Sequence, residues 1–134
     1  MSNTDQQWRI PPPDLKLGGN EVHVWRTLLE RPASEIEDLQ AILLDEEIER
    51  ARKFYFEKDR RHWIVAHAVL RVLFGRYLNI DPRSLRFITN DYGKPFIAYP
   101  PAGTRLHFNL SHSGDLALYA FAYDRQVGVD VEYR

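Results

Sequence analysis

The chain has 134 residues, of which 44% are apolar and 28% charged, as in a soluble globular domain with a modest core. Its net charge of −1 disfavours a protein that coats nucleic acid, because such domains carry a clear basic excess. The absence of cysteine excludes disulfides, thiolate metal sites and a cysteine nucleophile. No apolar run approaches the ~20 residues that span a bilayer. We therefore expect a cytoplasmic protein with no nucleic-acid and no membrane partner.

The first part of the chain predicts a lead-in, a strand and two short helices. Residues 1–20 are polar and rich in proline and glycine, which indicates an extended lead-in. Apolar residues then alternate over 21–29, as in a strand. Ser34 followed by Glu37 has the spacing of a capping box and predicts a helix, and Asp45 is expected to cap a second one.

The remainder predicts one long helix and then a series of strands. Apolar positions recur at helical spacing over 58–78, so this helix, capped by Asp59, should be central and largely buried. From there the period changes to two, and the segments 86–89 and 94–98 flank a tight bend. Further strands are expected over 106–110, 116–123 and 127–132, with a Ser-His-Ser-Gly-Asp turn after the first of them. We predict an α+β fold with a long central helix packed on a small, mainly antiparallel sheet.

Two carboxylates on the last predicted strand are candidate metal ligands. Asp130 and Glu132 alternate with valines, so both point to one face with backbones roughly 6–7 Å apart. Mg²⁺ prefers oxygen ligands and commonly takes only one or two carboxylates, which leaves room for water and phosphates. The pattern alone fits an amphipathic strand with a solvated acidic face equally well.

Two glycine-containing turns are candidate anion sites. Ser111 and His112 precede a glycine at a strand end, which suits a phosphate, although a plain hairpin turn explains the same residues. Adjacent residues diverge in an extended chain, so a serine nucleophile activated by that histidine is disfavoured. Gly93, Lys94 and Pro95 place a mobile positive charge beside a turn that could serve a nucleotide or be only a turn.

Basic residues gather just before and at the start of the long helix. Arg50, Arg60, Arg61 and His62 would add donors near a helix N-terminus, which already attracts anions. A solvated basic surface is the alternative for each of them. His67 falls on the apolar side of the helix, where we expect a core histidine with a satisfied hydrogen bond.

Taken in order, these segments resemble the 4′-phosphopantetheinyl transferase superfamily, in its larger, surfactin-synthetase-activating type. The resemblance covers about Asp45 to Arg134. It is carried by four motifs in sequence, namely Lys58-Asp59-Arg60-Arg61 leading into the long helix, Tyr92-Gly93-Lys94-Pro95, Phe108-Asn109-Leu110-Ser111-His112-Ser113-Gly114, and Val127-Gly128-Val129-Asp130-Val131-Glu132. Four motifs in the same order are more specific than any one of them.

The resemblance implies Mg²⁺-dependent transfer of 4′-phosphopantetheine from coenzyme A to a serine of an acyl or peptidyl carrier protein. Asp130 and Glu132 would hold Mg²⁺ against the coenzyme A pyrophosphate. The other family contacts would go to the nucleotide: Gly93, Lys94 and Pro95 along the adenine nucleotide, Ser111 and His112 at its phosphates, and Arg50 with Arg60, Arg61 or His62 at the 3′-phosphate. The family commonly has a further arginine where this chain has His62.

The chain departs from the family after the metal motif. The family continues into a second half with a W-x-x-K-E motif whose glutamate is a metal ligand or base, whereas this chain stops at Arg134. We therefore expect residues 21–134 to form the N-terminal, coenzyme A-binding half, with the second half absent and the catalytic residue unassigned. Alone it should be inactive or weakly active and should self-associate through the face left by the missing half.

The runner-up is a non-catalytic module that binds coenzyme A or a nucleotide. It would bind the ligand without transferring the phosphopantetheine arm. A nucleic-acid domain built on residues 50–63 is weaker, because the aromatic residues there lie on the apolar face of the helix.

Overall fold

The computed structural model describes residues 15–89, 95–99, 105–125 and 127. Their elements are, in order, β1 (His23–Leu28), α1 (Ala33–Gln40), α2 (Asp45–Arg52), α3 (Glu57–Leu78), a short 3-10 turn (Pro82–Ser84), β2 (Arg86–Thr89), β3 (Pro95–Tyr99), β4 (Leu106–Ser113) and β5 (Leu116–Tyr123). Helices dominate the first part and strands the second, so the predicted α+β class is confirmed.

The sheet that positions the site has three antiparallel strands in the order β1-β5-β4. β1 comes first in the chain yet pairs with β5, which places β5 in the centre. β4 and β5 form a hairpin closed by Gly114 and Asp115, and Gly114 takes a φ of 59°, a left-handed value that glycine adopts without strain. β2 and β3 pair separately as a two-stranded antiparallel ribbon.

α3 packs across the inner face of this sheet, as predicted for the central helix. The Phe74 ring meets the rings of Phe108 and Phe121 edge-on, with centroids 5.0 Å and 5.2 Å away. The buried Tyr119 hydroxyl donates to the carbonyl of Ala66 at 2.7 Å and ties β5 to the middle of α3. Within the described residues no helix, α3 included, is long and apolar enough to cross a membrane.

The predicted helix caps are wrong by one to three residues. α1 begins at Ala33 after Pro32, whose ring fixes a helix-compatible φ of −59°, rather than after Ser34. α2 begins at Asp45 itself, and the Glu47 carboxylate accepts the N–H of Leu44 at 2.9 Å. α3 begins at Glu57, ahead of Asp59. Carboxylates in the first turn therefore accept a backbone N–H or offset the positive end of the helix dipole, in place of the expected caps.

The edge strand β1 exposes two apolar side chains on the outer face of the sheet. Val24 and Leu28 of β1 are 44% and 61% exposed. Both occupy strand positions that alternate with Trp25 and Thr27, which face α3 and are partly buried. The expected self-association of the chain stays a prediction.

Candidate functional site

A cleft of about 370 Å³ lies between the first turns of α3 and the hairpin end of β4. Its volume is in the range of small-molecule sites. Its lining combines aromatic rings, imidazoles and two opposite charges, and consists of Phe54, Lys58, Asp59, His62, Trp63, Ala66, His67, His112 and Gly114. The cleft therefore joins the basic helix start to the Ser-His-Ser-Gly segment, two regions far apart in sequence.

The spacing of α3 puts its lining residues on one face. Lys58, His62 and Ala66 are four residues apart, and so are Asp59, Trp63 and His67, which stacks each set along the helix. Residues deeper along the same helix are buried in the core, whereas the first two turns extend past the sheet. The cleft lies beside the part of α3 that extends beyond the buried core.

His112 reaches the cleft because β4 is longer than predicted. Ser111, His112 and Ser113 were expected in a turn, but all three pair with β5, opposite Leu118, Ala117 and Leu116. The expected turn is wrong because backbone pairing continues until a two-residue glycine-containing loop can close the hairpin. The strand alternation then separates the two candidates, so His112 shares the inner face and lines the cleft, while Ser111 points to the outer face.

The three basic candidates at the start of α3 have different surroundings. Arg60 turns back and donates to the carbonyls of Phe54 and Tyr55 at 2.7 Å and 3.3 Å, which holds the loop before the helix. Arg61 pairs with Glu57 at 3.1 Å on the exposed side.

Among these three, His62 is the residue that lines the cleft. Its Nε2 lies 3.1 Å from a carboxylate oxygen of Glu30. Which of the three residues contacts the 3′-phosphate stays a prediction.

His67 is bonded as expected but does not lie wholly in the core. Its Nδ1 lies 2.9 Å from the Trp63 carbonyl, and its ring stacks on the Trp63 indole with centroids 3.8 Å apart. The same ring lines the cleft. Burial is the largest influence on the pKa of His67 and lowers it. The Trp63 carbonyl and Glu47 partly oppose this effect, whereas the charges of Arg50 and His112 add to it. Arg50 is itself exposed on α2 and does not line the cleft.

Several predicted site residues lie outside the described residues, among them Gly93, Lys94, Asp130 and Glu132. Pro95 opens β3 opposite Thr89, and its side chain is not described. Within the described part of the chain no three histidine, aspartate or glutamate side chains gather as a metal site would require. The metal and adenine-nucleotide assignments stay predictions.

Of the six α3 residues that line the cleft, the sequence predicts only His62 as a site residue. The five that sequence reasoning missed are Lys58, Asp59, Trp63, Ala66 and His67. The repeat of four along the helix could have grouped them, since it marks one face. What the sequence alone does not give is that the end of β4 lies across that face.

Comparisons with known proteins identify a family that matches most of the chain. Residues 28–123 match the family model described as 4′-phosphopantetheinyl transferase, N-terminal. The chain is 43% identical over 126 residues to the 4′-phosphopantetheinyl transferase HetI of a Nostoc species, covering 94% of this chain and 53% of that protein. It is 31% identical over 111 residues to the 4′-phosphopantetheinyl transferase Sfp of Bacillus subtilis, covering 81% of this chain and 48% of Sfp.

A third relative matches a shorter part of the chain. The phosphopantetheinyl transferase of a Thraustochytrium species is 41% identical over 93 residues, or 69% of this chain and 32% of that protein. The chain thus spans about a third to a half of the length of these curated relatives.

Proposed function

The chain belongs to the 4′-phosphopantetheinyl transferase family, and on that premise we propose that it supplies the coenzyme A-binding part of such an enzyme. The proposed reaction is Mg²⁺-dependent transfer of 4′-phosphopantetheine from coenzyme A to a serine of an acyl or peptidyl carrier protein. The observation that carries the proposal is the cleft, because it unites His112 with the start of α3. Both regions belong to the motifs on which the family resemblance rests.

The cleft suits the phosphates of a nucleotide. Lys58 brings an ammonium group, and the first turn of α3, which is the positive end of the helix dipole, forms part of the lining. His62 and His112 add imidazole donors from two elements. The Trp63 indole offers an apolar face against which part of the ligand can pack.

Asp130 and Glu132 are the residues that would hold Mg²⁺ in this proposal. Their carboxylate oxygens are the ligand type that this cation prefers. When bound, Mg²⁺ would neutralise charge on the pyrophosphate of coenzyme A. In the transfer itself the serine oxygen bonds to the phosphorus of the phosphopantetheine arm, and adenosine 3′,5′-bisphosphate leaves with the electron pair of the broken P–O bond. The group that takes the serine proton is unassigned.

A non-catalytic coenzyme A or nucleotide-binding module is the second candidate. It is supported by the composition of the cleft, whose described lining includes the Lys58 ammonium and three imidazoles that can bind and orient an anion. Such a module would retain the same contacts to phosphate. It differs from the enzyme in leaving an apo carrier protein unmodified.

The transfer assay separates the two candidates. The full-length gene product, whether it equals this chain or extends it, is incubated with coenzyme A, Mg²⁺ and apo carrier protein, and the carrier is weighed by mass spectrometry. The enzyme proposal expects a mass increase of one phosphopantetheine, lost in Asp130→Asn and kept in Asp124→Asn. Coenzyme A binding without any mass increase would favour the module.

A further inference from the structure

The hydrogen bond of His67 determines which of its two ring nitrogens carries the proton. Its Nδ1 lies 2.9 Å from the Trp63 carbonyl oxygen, and a carbonyl can only accept. Nδ1 therefore carries the proton, and Nε2 of the neutral ring has a lone pair. Within the part of the chain that the structure describes, no hydrogen bond engages Nε2. The ring that bears it forms part of the cleft wall.

The permanent charges around His67 oppose one another. The charged and titratable groups near it come from three elements: Glu47 and Arg50 on α2, Lys58, Asp59 and His62 on α3, and His112 on β4. Glu47 is paired with the Arg71 guanidinium of α3 at 2.8 Å, and among the lining residues the Lys58 ammonium is matched by the Asp59 carboxylate. The described lining therefore offers a phosphate dianion little net permanent positive charge, and a protonated His67 would supply more.

We propose that His67 is a further phosphate-binding residue of this cleft and that it binds by taking up a proton on Nε2, which then donates to a phosphate oxygen. The proton comes from solvent and forms an N–H bond with the Nε2 lone pair, and no bond of the ligand breaks. This inference rests on the proposed function, since coenzyme A is the phosphate ligand it uses. In the neutral ring, the lone pair of Nε2 would face a lone pair of the phosphate oxygen, and the two would repel. The protonated ring instead donates a charge-assisted hydrogen bond to that oxygen.

Burial of His67 favours an uncharged imidazole in the ligand-free protein. It lowers the pKa of His67 in the free protein, so near neutral pH the ring is uncharged before the ligand arrives. A phosphate against Nε2 raises that pKa in the complex. Between the free and the bound pKa, binding consumes a proton, and the Kd increases as the pH rises. For a single linked proton the limit is about tenfold in Kd per pH unit.

The ligand phosphate, whose second pKa is roughly 6, also contributes to the proton balance of binding. The contribution of His67 is therefore obtained as the difference between the native chain and a variant. His67→Gln keeps an amide that can bond to the Trp63 carbonyl but cannot titrate. His107→Gln is the matched control, because His107 lies on β4 outside the cleft lining.

The experiment is isothermal titration of the chain with coenzyme A at pH 7 in two buffers of different ionisation enthalpy. We expect proton uptake to be smaller in His67→Gln than in the native chain by on the order of half a proton, and unchanged in His107→Gln. Equal uptake in all three proteins, with coenzyme A bound by each, would overturn the inference and leave the proposed function standing. Failure of the native chain to bind coenzyme A would instead refute the function on which the inference rests.

A second measurement uses the native chain alone and so does not depend on the variant folding. The His67 imidazole is titrated by NMR with and without saturating coenzyme A. We expect its pKa to rise on binding. A pKa that is unchanged or lower in the complex would overturn the inference.

Discussion

The Arg71 guanidinium donates from Nε to a carboxylate oxygen of Glu47 at 2.8 Å, with only 2% of the arginine side chain exposed. Its Nη1 donates to the carbonyls of Pro82 and Leu85 at 2.9 Å and 3.0 Å. The same Glu47 oxygen accepts the N–H of Leu44. One buried ion pair thus fastens α2 to α3 and to the segment before β2, and it holds α2 beside the cleft.

Removing either partner of this pair should strongly destabilise the fold. Glu47→Gln leaves a buried guanidinium without its counter-charge, and we expect a loss of about 3–5 kcal/mol in the free energy of unfolding, measured with urea. Arg52→Ala removes the exposed pair with Glu49 on the same helix and should lose less than about 1 kcal/mol. Equal losses in the two variants would contradict the structural role given to Glu47.

Tyr119→Phe tests the contact between β5 and α3. The buried hydroxyl donates to the Ala66 carbonyl at 2.7 Å, so its removal should reduce the free energy of unfolding by about 1–2 kcal/mol. Tyr55→Phe is the matched control, because Tyr55 is 87% exposed. Its effect should stay within about 0.5 kcal/mol. A larger loss in the control than in Tyr119→Phe would contradict the packing of α3 on the sheet.

The stability of the ligand-free chain should depend on pH through His67. Burial lowers its pKa in the folded state below the ordinary value of 6.5, so the unfolded chain binds more protons as the pH falls. This contribution is fully present above pH 6.5 and is lost as the pH falls toward the lowered pKa. Urea unfolding at pH 7.5 and pH 5.5 should show a smaller difference in His67→Gln than in the native chain or His107→Gln. Parallel curves for all three would refute a buried neutral His67.

Mg²⁺ should increase the affinity for coenzyme A through Asp130 and Glu132. We expect Asp130→Asn and Glu132→Gln to remove the Mg²⁺-dependent increase while leaving Mg²⁺-free binding unchanged, because the cation joins their carboxylates to the pyrophosphate. Asp124→Asn is the control, since Asp124 pairs with Arg105 at the exposed end of β5. The readout is the Kd with and without Mg²⁺. A Mg²⁺ effect that survives in both metal-ligand variants would refute the assignment.

Much of the fold follows from periodicity. The repeat of apolar residues over α3 and the alternation over β4 and β5 depend on contacts that each segment makes along its whole length, so the pattern is strong. Helix ends are decided by one or two local interactions. Pro32 and Glu47 take the place of the expected caps, because different local interactions can each stabilise the start of a helix.

The site was predictable only in part. The motifs identified His112 and the start of α3, and adjacent Ser111 and His112 are expected to diverge in an extended chain. That both residues are extended depends on how far β4 pairs with β5, which is a tertiary property. His67 was read as a core residue because helical spacing shows which face it shares and not where the core ends along the helix.

The most direct test of the account is the affinity of the chain for coenzyme A in three proteins compared by isothermal titration. The native chain and His107→Ala should bind alike, since His107 is on β4 outside the cleft lining. His112→Ala should bind about tenfold more weakly or worse, because it removes a charge-assisted hydrogen bond worth about 1.5–3 kcal/mol. Equal affinity in all three, or no binding by the native chain, would contradict the assignment of this cleft to coenzyme A.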